Sequence, residues 1–372
     1  MPATPRAGHP RSVAWRPNRP SVRVAVVAAV FLAPARCSAP VVPNDADPGA
    51  DARAAAETST TDTPSVRPDA LADSSDVIAP ADAPDTGWRR EPSLPVPWQE
   101  LAGAVIAGRI FVVGGFESIR PVTSVRVFDP SSGSWSSGPP LPTARHHIAV
   151  VALGGDLYAL GGELGLSFTP DATCYVLRRG ATSWTPIASL PAPRGAGVAG
   201  AIAGRIYVAA GVTSGGTLAA RVAIYDPSAD RWTEGAAIPT PREHLAGFVH
   251  GDRLFTVGGR RLSLTTNMAT VEIYDPAMDR WVAGPAMPTP RGGLSADVLG
   301  GRAYAVGGEQ PDRALDVVEV LDLSAMRWTT IAPVPTPRHG HLVAAAGVRI
   351  YVIGGADQPI FAAVNVVESY AP

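Results

Sequence analysis

The chain of 372 residues contains no lysine; every one of its 31 basic side chains is arginine. It has two cysteines, Cys37 and Cys174, too few for a disulfide framework or a cysteine-rich zinc site. Its stability must therefore come from packing. Charged residues make up 17% of the chain, below the roughly one quarter usual in globular proteins. The formal net charge is −2, which gives no overall attraction to nucleic acid or to anionic membranes. The apolar run Val24-Ala25-Val26-Val27-Ala28-Ala29-Val30-Phe31-Leu32 falls far short of the about 20 residues that span a bilayer. Glycine and proline, by contrast, are abundant at 38 each. That share suits an all-β protein with many turns better than a helical one.

Three regions follow from composition. Arg6, Arg11, Arg16 and Arg19 precede the apolar run, and Ala33-Pro34-Ala35 follows it with a small-x-small pattern. Together they fit a secretory signal over residues 1–36. Cys37 stands where bacterial lipoproteins carry their lipidated cysteine, although Arg36 occupies a position that is normally small. Residues 38–87 contain no aromatic side chain, and between Asp45 and Asp85 ten acidic residues face two basic ones, Arg53 and Arg67. Such a stretch cannot bury enough apolar surface to offset its chain entropy. Residues 37–85 are therefore expected to form a disordered tether, and 86–372 a folded domain.

Within that domain the sequence repeats. A small-Gly pair recurs at Gly114-Gly115, Gly161-Gly162, Ala210-Gly211, Gly258-Gly259, Gly307-Gly308 and Gly354-Gly355, at spacings of 47, 49, 48, 49 and 47. Three residues before each pair stands an aromatic: Phe111, Tyr158, Tyr207, Phe255, Tyr304 and Tyr351. Trp135, Trp184, Trp232, Trp281 and Trp328 follow, each seven residues after a large apolar side chain. Arg145, Arg194, Arg242, Arg291 and Arg338 precede five of the pairs by sixteen residues, and Trp98 holds that place before the first. The segments between are β-branched and aromatic with turn signals such as Phe128-Asp129-Pro130, which predicts four strands per unit. In the first unit these are 101–107, 109–114, 123–129 and 133–138. The sixth unit reaches residue 372 without its Trp-bearing strand, whereas Trp88 lies 47 residues before Trp135. The segment around Trp88 should therefore complete the last unit and leave no open sheet edge.

The Gly pair, its aromatic, Tyr-Asp-Pro, Trp and Pro-x-Pro-Arg together resemble the Kelch repeat over residues 88–372. Ala210, Trp98 and Arg178-Arg179-Gly180 depart from the pattern. The resemblance implies an all-β, six-bladed β-propeller of four-stranded blades, acting as a monomeric module that binds a protein or carbohydrate ligand. Some Kelch-like propellers are enzymes, such as galactose oxidase and the bacterial sialic acid mutarotase. A copper site of the first kind needs a Tyr-Cys pair and histidines, but Cys174-Tyr175 falls in a third strand away from the expected channel. A mutarotase needs an acid, a base and cations, which Glu243, His146, His147 and the arginines could supply.

Residue types that occur once per blade are read as packing devices. With no lysine and no following helix, the Gly pairs are not phosphate loops. Function should lie where the repeats differ, in the loops 116–123, 163–172, 212–220, 260–270, 309–316 and 356–364. The histidines are unevenly placed: His146, His147, His244, His339 and His341 all lie just after a repeat arginine. The position right after the arginine is His146, Glu243 and His339 in alternate blades, but Gly195 and Gly292 between them and Gln99 in the first. With Arg260 and Glu309 on the loops, these groups are expected to converge on the channel mouth and bind a polar ligand. Two histidines and a carboxylate can hold a divalent ion, but polar residues that bond loop carbonyls are the commoner outcome, and no cofactor is expected. Expression in an exporting host should yield a chain lacking its first 35 or 36 residues; intact-mass measurement then separates a lipid adduct on Cys37 from an unmodified start.

Overall fold

The structure is a computed structural model that describes residues 87–372. The expected signal, the tether and Cys37 lie outside the described residues. Six four-stranded antiparallel sheets follow one another along the chain. The first is Ala102–Ile106, Arg109–Val113, Val125–Asp129 and Ser134–Ser137, within a residue or two of the boundaries expected from sequence. The second strand of each blade is flanked on both sides and reads as a near-continuous buried apolar run, as in Arg205–Ala209 and Arg349–Ile353. The fourth is outermost and mostly exposed. The six innermost strands, beginning at Ala102, Ala149, Val198, Ala246, Ser295 and Leu342, adjoin one another in cyclic order, and the last contacts the first. This is a six-bladed β-propeller.

Crowding at the axis explains the small residues of the innermost strands. A Cβ on Gly103 would lie 2.6 Å from the Leu342 side chain of the neighbouring blade. The ring closes as the repeat count requires. Trp88–Arg90 pairs antiparallel with Val367–Tyr370, Trp88 opposite Tyr370 and Arg90 opposite Glu368. Further backbone bonds, Leu94 N to Asn365 O at 2.9 Å and Trp98 N to Val364 O at 3.1 Å, continue the seam.

Each repeat tryptophan ties its blade to the preceding one. The indole N–H of Trp135 donates to Pro92 O at 3.0 Å, Trp184 to Pro139 O at 2.9 Å, and Trp232 to Ala188 O at 2.7 Å. Trp281 donates to Ala236 O at 3.2 Å, Trp328 to Pro285 O at 2.8 Å, and Trp88 completes the circle on Ala332 O at 3.1 Å. The Gly pairs supply left-handed backbone at the end of the second strand, with φ of 61° and 99° at Gly161 and Gly162. A Cβ on Gly161 would meet Arg194 O at 2.4 Å.

The repeat arginines are buried and bond backbone carbonyls, for example Arg145 to Gly161 O at 2.7 Å and Arg194 to Val208 O at 2.8 Å. Sequence reading missed their acidic partners. Glu272, Glu319 and Glu368 sit second in the third strand of blades four to six and pair with Arg242, Arg291 and Arg338. In blade two the corresponding residue is Tyr175, and the Arg145 guanidinium lies 5.1 Å from its ring centre. In blade three it is Ala223, and burial alone lowers Arg194 to about 10. Removing one member of a buried pair strands the other charge, at a cost of about 3–5 kcal/mol. Arg338→Ala should therefore destabilise the propeller by about that amount in urea unfolding, and Arg338→Met combined with Glu368→Leu should recover most of the loss.

Candidate functional site

The channel mouth is built by one repeated device. The residue after each repeat arginine, or after Trp98 in the first blade, bridges to the residue after the Gly pair: Gln99 to Phe116, His146 to Glu163, Gly195 to Val212, Glu243 to Arg260, Gly292 to Glu309 and His339 to Ala356. The next residue in every blade turns left-handed before the innermost strand begins. These six are Glu100, His147, Ala196, His244, Gly293 and Gly340, with φ between 50° and 66°. A non-glycine residue pays roughly 1–2 kcal/mol for that conformation. Neighbouring blades hold it in place: Ala196 N donates to His147 O, His244 N to Ala196 O, Gly293 N to His244 O and Gly340 N to Gly293 O, all at 2.8–3.0 Å. The result is a collar around the axis.

The collar separates two cavities. One, of about 460 Å³, runs between the innermost strands, and the other, of about 420 Å³, opens among the loops. Glu100, His147 and His244 border both. Small residues complete the collar because the large side chains lie across it; a Cβ on Gly340 would sit 2.4 Å from Glu100 Oε1.

The structure brings most of the sequence candidates together. His147, Glu243, His244, Arg260, Glu309 and His339 all line the mouth. His146 lies behind them, stacked on Phe116 with ring centres 4.1 Å apart. His341 does not join the group. It lines the lower channel with its ring against Gly307, because it stands one residue past the left-handed Gly340, at the entry to the innermost strand. Glu100 was missed, although it shares a repeat column with His147 and His244. The column one residue beyond the alternating one faces the axis, and the left-handed turn that puts it there is not written in residue types.

Hydrogen bonds set the protonation of the cluster. His146 Nε2 donates to Gly165 O at 2.9 Å, and burial lowers its pKa to about 3. His146 is therefore neutral, and its Nδ1 accepts from His147 Nδ1. His147 Nε2 lies 3.1 Å from Glu100 Oε2 and 2.9 Å from His244 Nε2. Burial works against charge on His147, but Glu100 outweighs it and raises the pKa above the ordinary value. Glu100 is held well below the usual carboxylate range, because His147 and His339 overcome its own burial. His339 donates from Nε2 to Gln358 O at 2.9 Å, with Nδ1 3.4 Å from Glu100 Oε1. Arg260 spans Glu243, at 3.2 Å, and Glu309.

The rim above this floor is apolar. Of nine large hydrophobic side chains exposed on the described residues, Ile119, Leu166, Phe168, Leu262, Ile360 and Phe361 stand on the mouth loops. Phe116 packs beneath them, 5.3 Å from Phe361 and 6.0 Å from Phe168 between ring centres.

Residues 99–142, 241–288 and 290–335 match the family model for the Kelch motif. This chain carries Kelch repeats. It is 31% identical to Kelch-like protein 35 of Mus musculus over 42% of this chain and 26% of that protein. It is 30% identical to a Kelch repeat-containing protein of Arabidopsis thaliana over 50% of this chain and 45% of that one. The Kelch chain thus spans less than half the length of these relatives. Its fold matches the solved structure of YjhT with a TM-score of 0.65 at 15% identity, covering 74% of this chain and 95% of that one.

The buried neutral histidines of the Kelch domain predict an acid response. Burial lowers His341 to about 3, as it does His146. The native state then takes up these protons later than the unfolded chain does, so stability is lost as pH falls from about 6.5 towards 3. His147 and His339, raised instead, contribute stability that is lost as pH rises through their native pKa values. His341→Gln should flatten the fall in unfolding free energy between pH 6 and pH 4 by about one proton, read from denaturant titrations at each pH.

Proposed function

We propose that this chain is a protein-binding module that takes an apolar segment of its partner onto the loop face of the propeller, with polar groups of that segment reaching the floor. The observation that carries this reading is the ring of exposed apolar side chains standing over a buried polar cluster. Apolar anchors that leave water beside hydrogen-bonding groups are the usual energetic centre of an interface. Kelch-repeat proteins generally mediate protein interactions, in line with this assignment. The expected signal and acidic tether extend the reading to a propeller presented outside the cytoplasm, free or lipid-anchored at Cys37.

A carbohydrate-active reading, with Glu243 and the histidines as acid and base, would need an arginine free to meet a sugar carboxylate, and the arginine that lines the mouth is not free. Arg260 is already held between Glu243 and Glu309, and the repeat arginines are buried in the blades.

A photo-crosslinking residue placed at Phe361 should capture the partner. One placed at Val348, in the turn at the other end of blade six and 78% exposed, should not. Leu262→Glu should abolish capture at position 361 without lowering the melting temperature. Equal capture from both positions would place the interface elsewhere. Turnover of sugar acids that is lost in Glu243→Gln would favour the enzyme instead.

A further inference from the structure

Three lone-pair donors converge on the collar from different blades. Glu100 Oε2 and His147 Nε2 are 3.1 Å apart, and His147 Nε2 and His244 Nε2 are 2.9 Å apart. One ligand atom from each of the three residues lies within 4.8 Å of the others. Tetrahedral zinc with bonds of about 2.0–2.1 Å separates its ligands by roughly 3.3 Å, so the two separations at His147 Nε2 need to open by only a few tenths of an ångström, and Glu100 and His244 need to stand within reach of the same ion.

The groups behind the histidines aim their lone pairs inward. His146 commits Nε2–H to Gly165 O, which leaves its Nδ1 to accept from His147 Nδ1–H. Neutral His147 then presents a bare Nε2. His244 Nδ1 stands beside the Glu243 carboxylate, and a neutral ring that carries its proton on that side has a bare Nε2 as well. Glu243 is itself fixed by Arg260, at 3.2 Å, and by Leu262 N–H, at 3.2 Å. A carboxylate or a second imidazole that fixes the far nitrogen of a ligating histidine is the usual support of a metal site. A proton on His147 Nε2 can point at Glu100 or at His244, not at both. A cation placed between the three satisfies all of them at once.

We propose that Glu100, His147 and His244 form a binding site for a divalent transition-metal ion of the zinc class at the collar of the propeller. The donor set of two imidazoles and one carboxylate suits zinc, and three protein ligands leave a fourth position for water or an incoming group. Because the three residues border both cavities, that position is reachable from solvent. His146, His147 and Glu163 form a second cluster, but the Glu163 carboxylate stands 3.7–3.8 Å from the two Nδ1 atoms and the group does not face both cavities. His147 can serve only one of the two sets through one nitrogen.

The test is titration of the full chain, stripped with chelator, with zinc by calorimetry and with cobalt(II) by visible absorption. One ion per chain should bind, and cobalt should give the intense bands of four-coordinate geometry. His244→Ala should lose this ion while Glu163→Gln keeps it, and Glu243→Gln should weaken zinc by about 10-fold. Zinc should raise the melting temperature of the wild type and of Glu163→Gln but not of His244→Ala, which also shows that each variant is folded. Absence of a saturable ion, an ion that survives His244→Ala, or loss in Glu163→Gln alone would each overturn the assignment.

Discussion

A circle of sheets has no free edge only if its last sheet is completed by the chain that began it. Here Trp88–Arg90 supplies the outer strand to Val367–Tyr370. The indole of Trp88 then makes to blade five the same bond that every other repeat tryptophan makes to its predecessor. Without that seam the sixth blade would end on an unpaired strand, and the innermost strands would lose the neighbour that holds them in cyclic order. The channel and its collar exist because the circle is shut.

Closure also accounts for the conformation of the collar. A left-handed turn before each innermost strand is unfavourable for glutamate, histidine and alanine. From blade three to blade six it is held by a carbonyl of the preceding blade's collar residue, which accepts from the collar amide. The repeat arginines serve the same end from below. Arg145 O receives Gly115 N at 2.8 Å, while the Arg145 side chain bonds the next blade's Gly161 O at 2.7 Å. Backbone bonding that recurs from blade to blade leaves the side chains free to differ, and the differences are concentrated at the mouth. There Glu100, His147 and His244 share the collar with Ala196, Gly293 and Gly340.

The apolar rim and the polar floor are physically dependent on one another. Phe116 is buried under Phe361 and Phe168 and carries the ring of His146 on its face. His146 in turn orients His147. Side chains that would meet a partner are therefore one layer away from the group that sets the collar's protonation.

The repeat period, the four-stranded unit, the number of blades and the identity of the closing strand were all legible in the residues. They follow from short-range rules: alternation, turn chemistry and a tryptophan spacing that recurs in phase. The histidines were visible as an uneven distribution against a regular background. What the sequence could not show was which of two adjacent columns faces the axis, because one left-handed residue reverses the direction of a side chain and glutamate or histidine carries no mark of that conformation. It also could not show that Glu272, Glu319 and Glu368 answer arginines about thirty residues earlier, or that His341 belongs to a blade interface while His339 belongs to the mouth. Those assignments depend on contacts between segments far apart in the chain, and only the closed ring sets the distances between them.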